Sequence, residues 1–426
     1  MTQYDAVVVG AGIIGLATAY HIQQKNPQDK ILLIDKMPAA GQGNTSKSAA
    51  MFRISFSSPT NLTLVRTSTK FYDEVQRQGT DLKIRRTGYL WLFNGDKYNE
   101  LEPVLEEMKK NGLEYTLFDP DELEKKIKIN TKVSQDEESQ MMGLTDVHKG
   151  VLVPNAGSIG VDSLVKFYEL GFRKLSGEIS YNTEAYGITV ESDTPLGISG
   201  EPYFWQKPKI TGVKTNKGEI KAKKTIIAAG AWVSSLLRPI GIPTYVEPIK
   251  RQIFSIKANT PELKELLHVE GLNPVNCLPF TILTNGLYIK PALEEDAFWL
   301  CYSDGFPREF NLEDNPQSEE NFYNYGIHQV VTKYFPQFKN AQLYTSFAGL
   351  YALNTLDKQP VIFEQNGLIV VGGLSGSGIM KADSMGRIAT ALYNGEETAM
   401  LFGDELFRVS DLSLKKRNVV PEKMVI

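Results

Sequence analysis

Cysteine is scarce in this chain: of 426 residues two are cysteine, Cys277 and Cys301. They form no CxxC pair and have no histidine cluster around them, which excludes a disulfide framework and a zinc site and leaves two buried thiols. No metal is expected. Histidine is almost as rare, and His21, His148, His268 and His328 fall outside any motif, so none is assigned as a general base. No apolar run approaches the roughly 18 to 20 residues of a membrane span. The N-terminus passes straight into a strand without a signal-peptide pattern. A cytoplasmic address is expected, with peripheral attachment to a membrane left open. An excess of one charge is also missing: a net charge of -4 gives no broad basic face for nucleic acid or anionic lipid, so small molecules are the expected partners.

What is present is a large reserve of core. With 42% hydrophobic and 10% aromatic residues, the chain is longer than one core usually supports, and two intertwined domains are expected. Tyr4 to Val9 reads as a strand, Gly10-Ala11-Gly12-Ile13-Ile14-Gly15 as a turn, Leu16 to Gln24 as a helix, and Ile31 to Ile34 as a second strand ending on Asp35. This is a βαβ unit. A polar loop, Gly41 to Ser48, leads into a helix over Asn61 to Gln78, and Leu82 to Phe93 resembles a strand pair. Residues 97 to 140 interleave acidic and basic side chains as solvated helix faces do. Ile210 to Ala229 predicts a hairpin around Asn216-Lys217-Gly218, then a buried strand and the small-residue turn Ala229-Gly230-Ala231. Leu368 to Val371 predicts another buried strand, followed by the glycine-rich turn Gly372 to Gly378 and a helix from about Lys381 to Asn394. Two glycine-rich strand-to-helix turns therefore lie far apart in the chain, with a β-rich middle and polar insertions around 192 to 208 and 304 to 321. One domain is assembled from both ends.

The three glycines of the first turn have separate tasks: Gly10 the tight turn, Gly12 the close approach of backbone to a pyrophosphate, Gly15 the packing of helix on strand. Asp35, twenty residues beyond Gly15, is placed to accept ribose hydroxyls. The motif points to a dinucleotide but does not decide between NAD and FAD.

Four further segments resemble the D-amino-acid oxidase superfamily of FAD-dependent oxidoreductases, which includes sarcosine and glycine oxidases. They are Thr45 to Arg53, similar to the loop that wraps the flavin; Arg86-Thr87-Gly88-Tyr89-Leu90; Ile226 to Trp232, close to an AAGAW turn; and Gly372 to Ala382, similar to the GxSGHGF flavin segment. Within that superfamily, Phe52 to Ser58, SGSGIMKAD and the tail from Phe407 to Ile426 resemble the archaeal dye-linked L-proline dehydrogenases. The resemblance implies an α/β fold: a Rossmann-like FAD-binding domain over 1–85, 147–235 and 345–426, and an antiparallel β-sheet substrate domain over 86–146 and 236–344. It implies cofactor contacts from Gly10, Gly12, Ile13, Ile14, Gly15, Asp35, Lys36, Ser46, Lys47, Ser48, Ala49, Met51, Ala185, Ala229, Gly230 and Trp232. The C-terminal turn would add Gly373, Gly376, Ser377, Gly378, Ile379, Met380 and Lys381.

For the chemistry, the resemblance makes Arg53 the clamp for a substrate carboxylate, since a guanidinium offers two parallel charge-assisted bonds. Tyr288 and Tyr351 would supply flat walls for a small ring, and Met380 would sit beside the substrate. Sarcosine oxidases carry a lysine where this chain has Met380. Lys381 is displaced by one, which turns it by about 100 degrees on a helix. Leu350 stands where those oxidases attach flavin through a cysteine, which implies non-covalent FAD. Trp299 stands where they place an oxygen-activating lysine, which implies a dehydrogenase passing electrons to a dye, quinone or protein. The expected reaction is oxidation of the C-N bond of a small amino acid by hydride transfer to the flavin, with L-proline the leading substrate. A sarcosine or N-methyl amino-acid enzyme, a 2-hydroxy-acid dehydrogenase and a non-catalytic flavoprotein subunit remain alternatives, and a homo-oligomer is compatible. A NAD-dependent dehydrogenase would leave the second glycine-rich turn without a purpose. The apolar stretch Val419 to Ile426 is expected either to close the active site as a lid or to rest on the surface.

Overall fold

In the computed structural model, which describes residues 3–303 and 309–424, two eight-stranded sheets carry most of the framework. The strand Tyr4–Val9 lies inside the first, paired in parallel with Ile31–Ile34 on one side and with Gly218–Ile227 on the other. Leu368–Gly372 and Glu178–Ser180 extend it in parallel, and Val361–Gln365 is added antiparallel at one edge. Ile31–Ile34 and Leu368 to Val371 read as unbroken Val/Ile/Leu runs, as strands covered on both faces do.

Gly218–Ile227 serves two pairings. Its first residues close the expected hairpin with Pro208–Thr215, and its remainder enters the parallel sheet against Tyr4–Val9. The helix Ile13–Lys25 packs against the helix Ala382–Tyr393 so closely that a Cβ on Gly386 would come within 2.7 Å of the Ala17 carbonyl oxygen. Across that contact His21 meets Asp383 at 2.8 Å, both buried.

The second sheet runs in the order Leu343–Asn354, Val246–Lys257, Ala297–Cys301, Tyr288–Ala292, Phe280–Ile282, Tyr89–Phe93, Lys149–Val153, Thr116–Phe118. Most neighbours are antiparallel. Hydrogen bonding divides the chain differently from the expected boundaries in two places: Lys149–Val153 pairs with Tyr89–Phe93, and Leu343–Asn354 with Val246–Lys257, so both belong to this sheet. The expected strand pair over Leu82 to Phe93 is a single strand, Tyr89–Phe93, preceded by an isolated bridge between Arg85 and Ser158. Lys83 and Gly88 take positive φ (+53° and +72°), which breaks the extended run. No described helix is long and apolar enough to cross a membrane.

Parallel strands gather their loops at their carboxyl ends, where α/β sheets bind ligands. The turns after Val9, Ile34, Ile227 and Gly372 all emerge there, and the second sheet meets them.

Candidate active site

These turns wall a cavity of about 450 Å³. Gly10, Gly12, Ile13 and Ile14 line it from the first turn, Asp35 and Lys36 from the second strand end, Lys47, Ser48 and Ala49 from the polar loop. Ala185, Ala229, Gly230 and Trp232 line it from the middle of the chain, and Gly376, Gly378 and Ile379 from the C-terminal turn. The far wall is built by the second sheet, with Tyr288, Tyr351, Ile253 and Arg251.

The shape of the cradle is backbone-determined. Gly10 has φ +107°, and a Cβ there would lie 2.6 Å from the Ala228 carbonyl oxygen. Gly376 has φ +85°, and its Cβ would enter the ring of Tyr351 at 2.4 Å. The helix Ile13–Lys25 begins at Gly12, which has no side chain to cap it; the Ile13 N–H donates to Thr45 Oγ1 at 3.1 Å, and the amides that follow can serve a phosphate. Asp35 is fixed by the Ala11 N–H donating to Oδ2 at 2.5 Å and the Met37 N–H donating to Oδ1 at 2.8 Å. Each carboxylate oxygen keeps further acceptor capacity for ribose hydroxyls. Burial raises its pKa above the usual carboxylate range against those two amides. Lys36 lies 4.1 Å over the Trp232 ring, closing this end with a flat apolar face.

Seven expected cofactor residues do not line the cavity, Lys381 among them. Gly15 serves packing, since a Cβ there would stand 1.8 Å from the Gly10 carbonyl oxygen. Ser46 donates to the Gly43 carbonyl. Met51 lies in the short strand Met51–Phe52 and packs with Tyr89 and Trp91. Gly373 turns the backbone at φ +66°. Ser377 donates to the Leu374 carbonyl and accepts from Lys381. Met380 packs into the core shared with Leu16 and Met385, away from the cavity and from the substrate position expected for it. The 3₁₀ turn Ile379–Lys381 sets this phase, sending Ile379 to the cavity and Met380 to the core.

Arg53, 6% exposed, is not among the residues that line the cavity. Its guanidinium donates to the carbonyls of Ser55 and Met424, and lies 4.0 Å over the Phe56 ring. Lys381, 1% exposed, donates to Asn61 Oδ1 and Ser377 Oγ, both at 2.7 Å. Neither cation forms an ion pair among the described residues. Burial, then the nearby Arg53 charge, lowers Lys381 to about 7, with Glu422 pulling the other way. Burial likewise lowers Arg53. Tyr89, Phe280 and Tyr288 form an aromatic wall with ring centroids 4.4 and 4.7 Å apart. Burial pushes Tyr351 up to about 12 and Tyr288 well above its usual value.

The tail reaches this wall. Glu422 accepts from the Ser57 N–H and hydroxyl at 2.9 and 2.8 Å, and from Ser58 and Asn61 at 3.2 Å. Met424 is 1% exposed and packs with Trp91 and Tyr288. The remaining two residues of the stretch, 425 and 426, lie outside the described residues.

Arg251 was not legible in the sequence as a site residue. It lines the cavity 5.5 Å from the Tyr351 ring, and its buried Nε has no hydrogen-bond partner. The available signal was an arginine at the inward phase of Val246–Lys257, between Ile249 and Ile253.

Fold and cavity together define a protein that holds an extended dinucleotide between a glycine-rich βαβ unit and a second sheet. The chain belongs to the DAO family of FAD dependent oxidoreductases, whose model matches residues 5–392, and its cofactor is FAD. Relatives include FAD-dependent oxidoreductase domain-containing protein 1 of Xenopus laevis, 24% identical over 98% of this chain and 85% of the relative. Another is monomeric sarcosine oxidase of Bacillus sp. strain B-0618, 21% identical over 92% of each. Among solved structures, L-proline dehydrogenase from P. horikoshii superposes with a TM-score of 0.73 at 20% identity, covering 92% of this chain and 94% of that one.

Proposed function

We propose that this chain is a dehydrogenase that oxidises the C-N bond of a small amino acid, L-proline foremost, to the cyclic imine 1-pyrroline-5-carboxylate. The observation that carries the reading is the pair of buried cations, Arg53 and Lys381, which make no direct ion pair among the described residues and have the Glu422 carboxylate acting on both. Buried positive charge is costly until an anion neutralises it, and an amino-acid carboxylate is such an anion. Arg53 would hold the carboxylate, with Arg251 the cation nearest Tyr351 in the cavity. Tyr288 and Tyr351 would bracket the ring.

Bound FAD supplies the acceptor for the two electrons released. The residues orient the substrate and exclude water, and a lysine lowered to about 7 favours an unprotonated neighbouring amine by adding positive charge when it is itself protonated. No cysteine lines the cavity, which supports non-covalent FAD. Trp299 stands where sarcosine oxidases carry a lysine, which supports transfer to a dye, quinone or protein, although it does not itself line the cofactor cavity.

Anaerobic mixing with L-proline, D-proline, sarcosine and glycine, followed at the flavin absorbance band, tests the reading. Bleaching by L-proline, slow recolouring in air and fast recolouring by a dye is the expected result. Bleaching by sarcosine with rapid recolouring in air would instead identify an N-methyl amino-acid oxidase, and no bleaching by any amino acid would identify a non-catalytic flavoprotein.

The tail is proposed to act as a lid held by Glu422. Glu422→Ala leaves the Ser57 and Ser58 donors without their acceptor and frees Met424 from the wall. The concentration of proline giving half-maximal bleaching rate is expected to rise about tenfold, the scale of one or two charge-assisted hydrogen bonds. An unchanged value would place the tail on the surface with no part in binding.

A further inference from the structure

A second cavity, of about 300 Å³, lies on the other side of the polar loop, and Ser48 lines both. One wall is the indole of Trp299. The ammonium of Lys290, directly opposite Trp299 in the paired strands, rests 3.9 Å from the ring centroid. Among the described residues this ammonium makes no hydrogen bond and no ion pair. Burial lowers it to about 8, with Glu295 and Glu294 pulling upward.

Two of the other charged or polar pairs at the cavity are already made, while the buried Thr87 Oγ1 has no hydrogen-bond partner. Arg85 pairs with Glu294 at 2.7 Å, and the Trp299 Nε1–H donates to Glu295 at 3.0 Å. Lys83, Arg85 and Lys290 are balanced by Asp162, Glu294 and Glu295, so the cavity has no net charge with which to gather ions. A ligand that suits it is neutral, flat enough to lie on an indole, and equipped with a carbonyl to accept from Lys290. The cavity is also coupled to the cofactor: Phe347 lines the cofactor cavity and meets Trp299 edge-on, ring centroids 5.4 Å apart at 81°.

We propose that this second cavity docks the electron acceptor, a quinone head group, with Lys290 donating to one quinone carbonyl and Trp299 stacking on the ring. The site rests on the dehydrogenase reading above. Overall, the amino acid loses two electrons and two protons as its C-N single bond becomes C=N. The quinone gains two electrons, by way of FAD, and two protons as it becomes the hydroquinone. One of those protons comes from the Lys290 ammonium at the carbonyl it holds, and the amine regains one from solvent. A separate cavity lets substrate and acceptor be bound at once.

The test is calorimetric titration of a tailless ubiquinone analogue, 2,3-dimethoxy-5-methyl-1,4-benzoquinone, into oxidised holoenzyme without amino acid. One site is expected in the native protein, and about tenfold or greater weakening in Lys290→Met, the loss of one charged donor. Lys290→Arg, which keeps the charge, should retain binding, and flavin content confirms that each variant is folded. A saturating oxygen analogue of proline, tetrahydrofuran-2-carboxylate, should leave quinone affinity unchanged. Equal affinity in Lys290→Met, competition by that carboxylate, or no quinone binding overturns the proposal. If the quinone binds as expected but no amino acid bleaches the flavin, the function above falls and the site stands. If L-proline bleaches the flavin and the quinone does not bind, the site alone falls.

Discussion

A Gly10→Val variant is expected to emerge from purification without bound flavin. Gly10 holds φ +107°, and its missing Cβ faces the Ala228 carbonyl oxygen at 2.6 Å and the Ala229 Cα at 3.2 Å. Both obstacles are backbone at the end of a strand paired with Tyr4–Val9, so neither can rotate aside. Left-handed strain of about 1 to 2 kcal/mol adds to the cost of separating Tyr4–Val9 from Gly218–Ile227, and overpacking of this kind costs about 1 to 3 kcal/mol or more. The turn that would receive the pyrophosphate is displaced as a result. Absorbance ratios of the purified protein and thermal unfolding with and without added FAD measure the effect. A yellow variant stabilised by FAD as strongly as the native protein would show that this turn does not contact the cofactor.

The second large effect is a pH dependence carried by Lys381. Burial, then the nearby Arg53 charge, lowers its folded pKa to about 7 from the ordinary lysine value of 10.5. Below about pH 7 both folded and unfolded chains hold the proton, and the folded chain bears a desolvated ammonium. Between about 7 and 10 the unfolded chain holds more protons than the folded one, so this group makes stability rise with pH across that window. The whole span is on the order of 5 kcal/mol. Lys381→Met should be more stable than the native protein near pH 6, and the advantage should shrink toward pH 10. Denaturant unfolding of both proteins at several pH values reads the difference. A pH-independent difference would mean that Lys381 stays charged throughout. A bound carboxylate restores the charged form, so proline binding should take up a proton above pH 7, visible as a buffer-dependent heat.

How far this site could be read from the sequence depends on the range of the contacts that make it. Gly10, Gly12 and Asp35 were legible because a βαβ unit is local: the strand, turn and second strand fix their places within a few residues of one another. Gly15 was legible as a packing glycine, and it does not line the cavity. Arg251 was not legible, because its inward direction follows from the pairing of Val246–Lys257 with Leu343–Asn354, partners nearly a hundred positions apart. Met380 was misplaced because the chain passes through a 3₁₀ turn before the helix Ala382–Tyr393 begins, and a helical phase cannot be extrapolated through it. Glu422 meets Ser57 across most of the chain, and nothing local marks that contact. The strand pair expected over Leu82 to Phe93 failed on two positive-φ residues, one of them a lysine with no preference for that conformation.

The central place of Tyr4–Val9 also governs the order in which the molecule can be completed during synthesis. Ile31–Ile34 can join that strand early, but its other edge waits for residues 222–227. At about 5 to 20 residues per second, an apolar strand edge stands unpaired for roughly 10 to 40 s after it leaves the ribosome. The flavin cradle, which also needs Gly376 and Gly378, closes later still. Until residues 222–227 arrive, the exposed edge is a surface on which an unpaired strand of another chain could add.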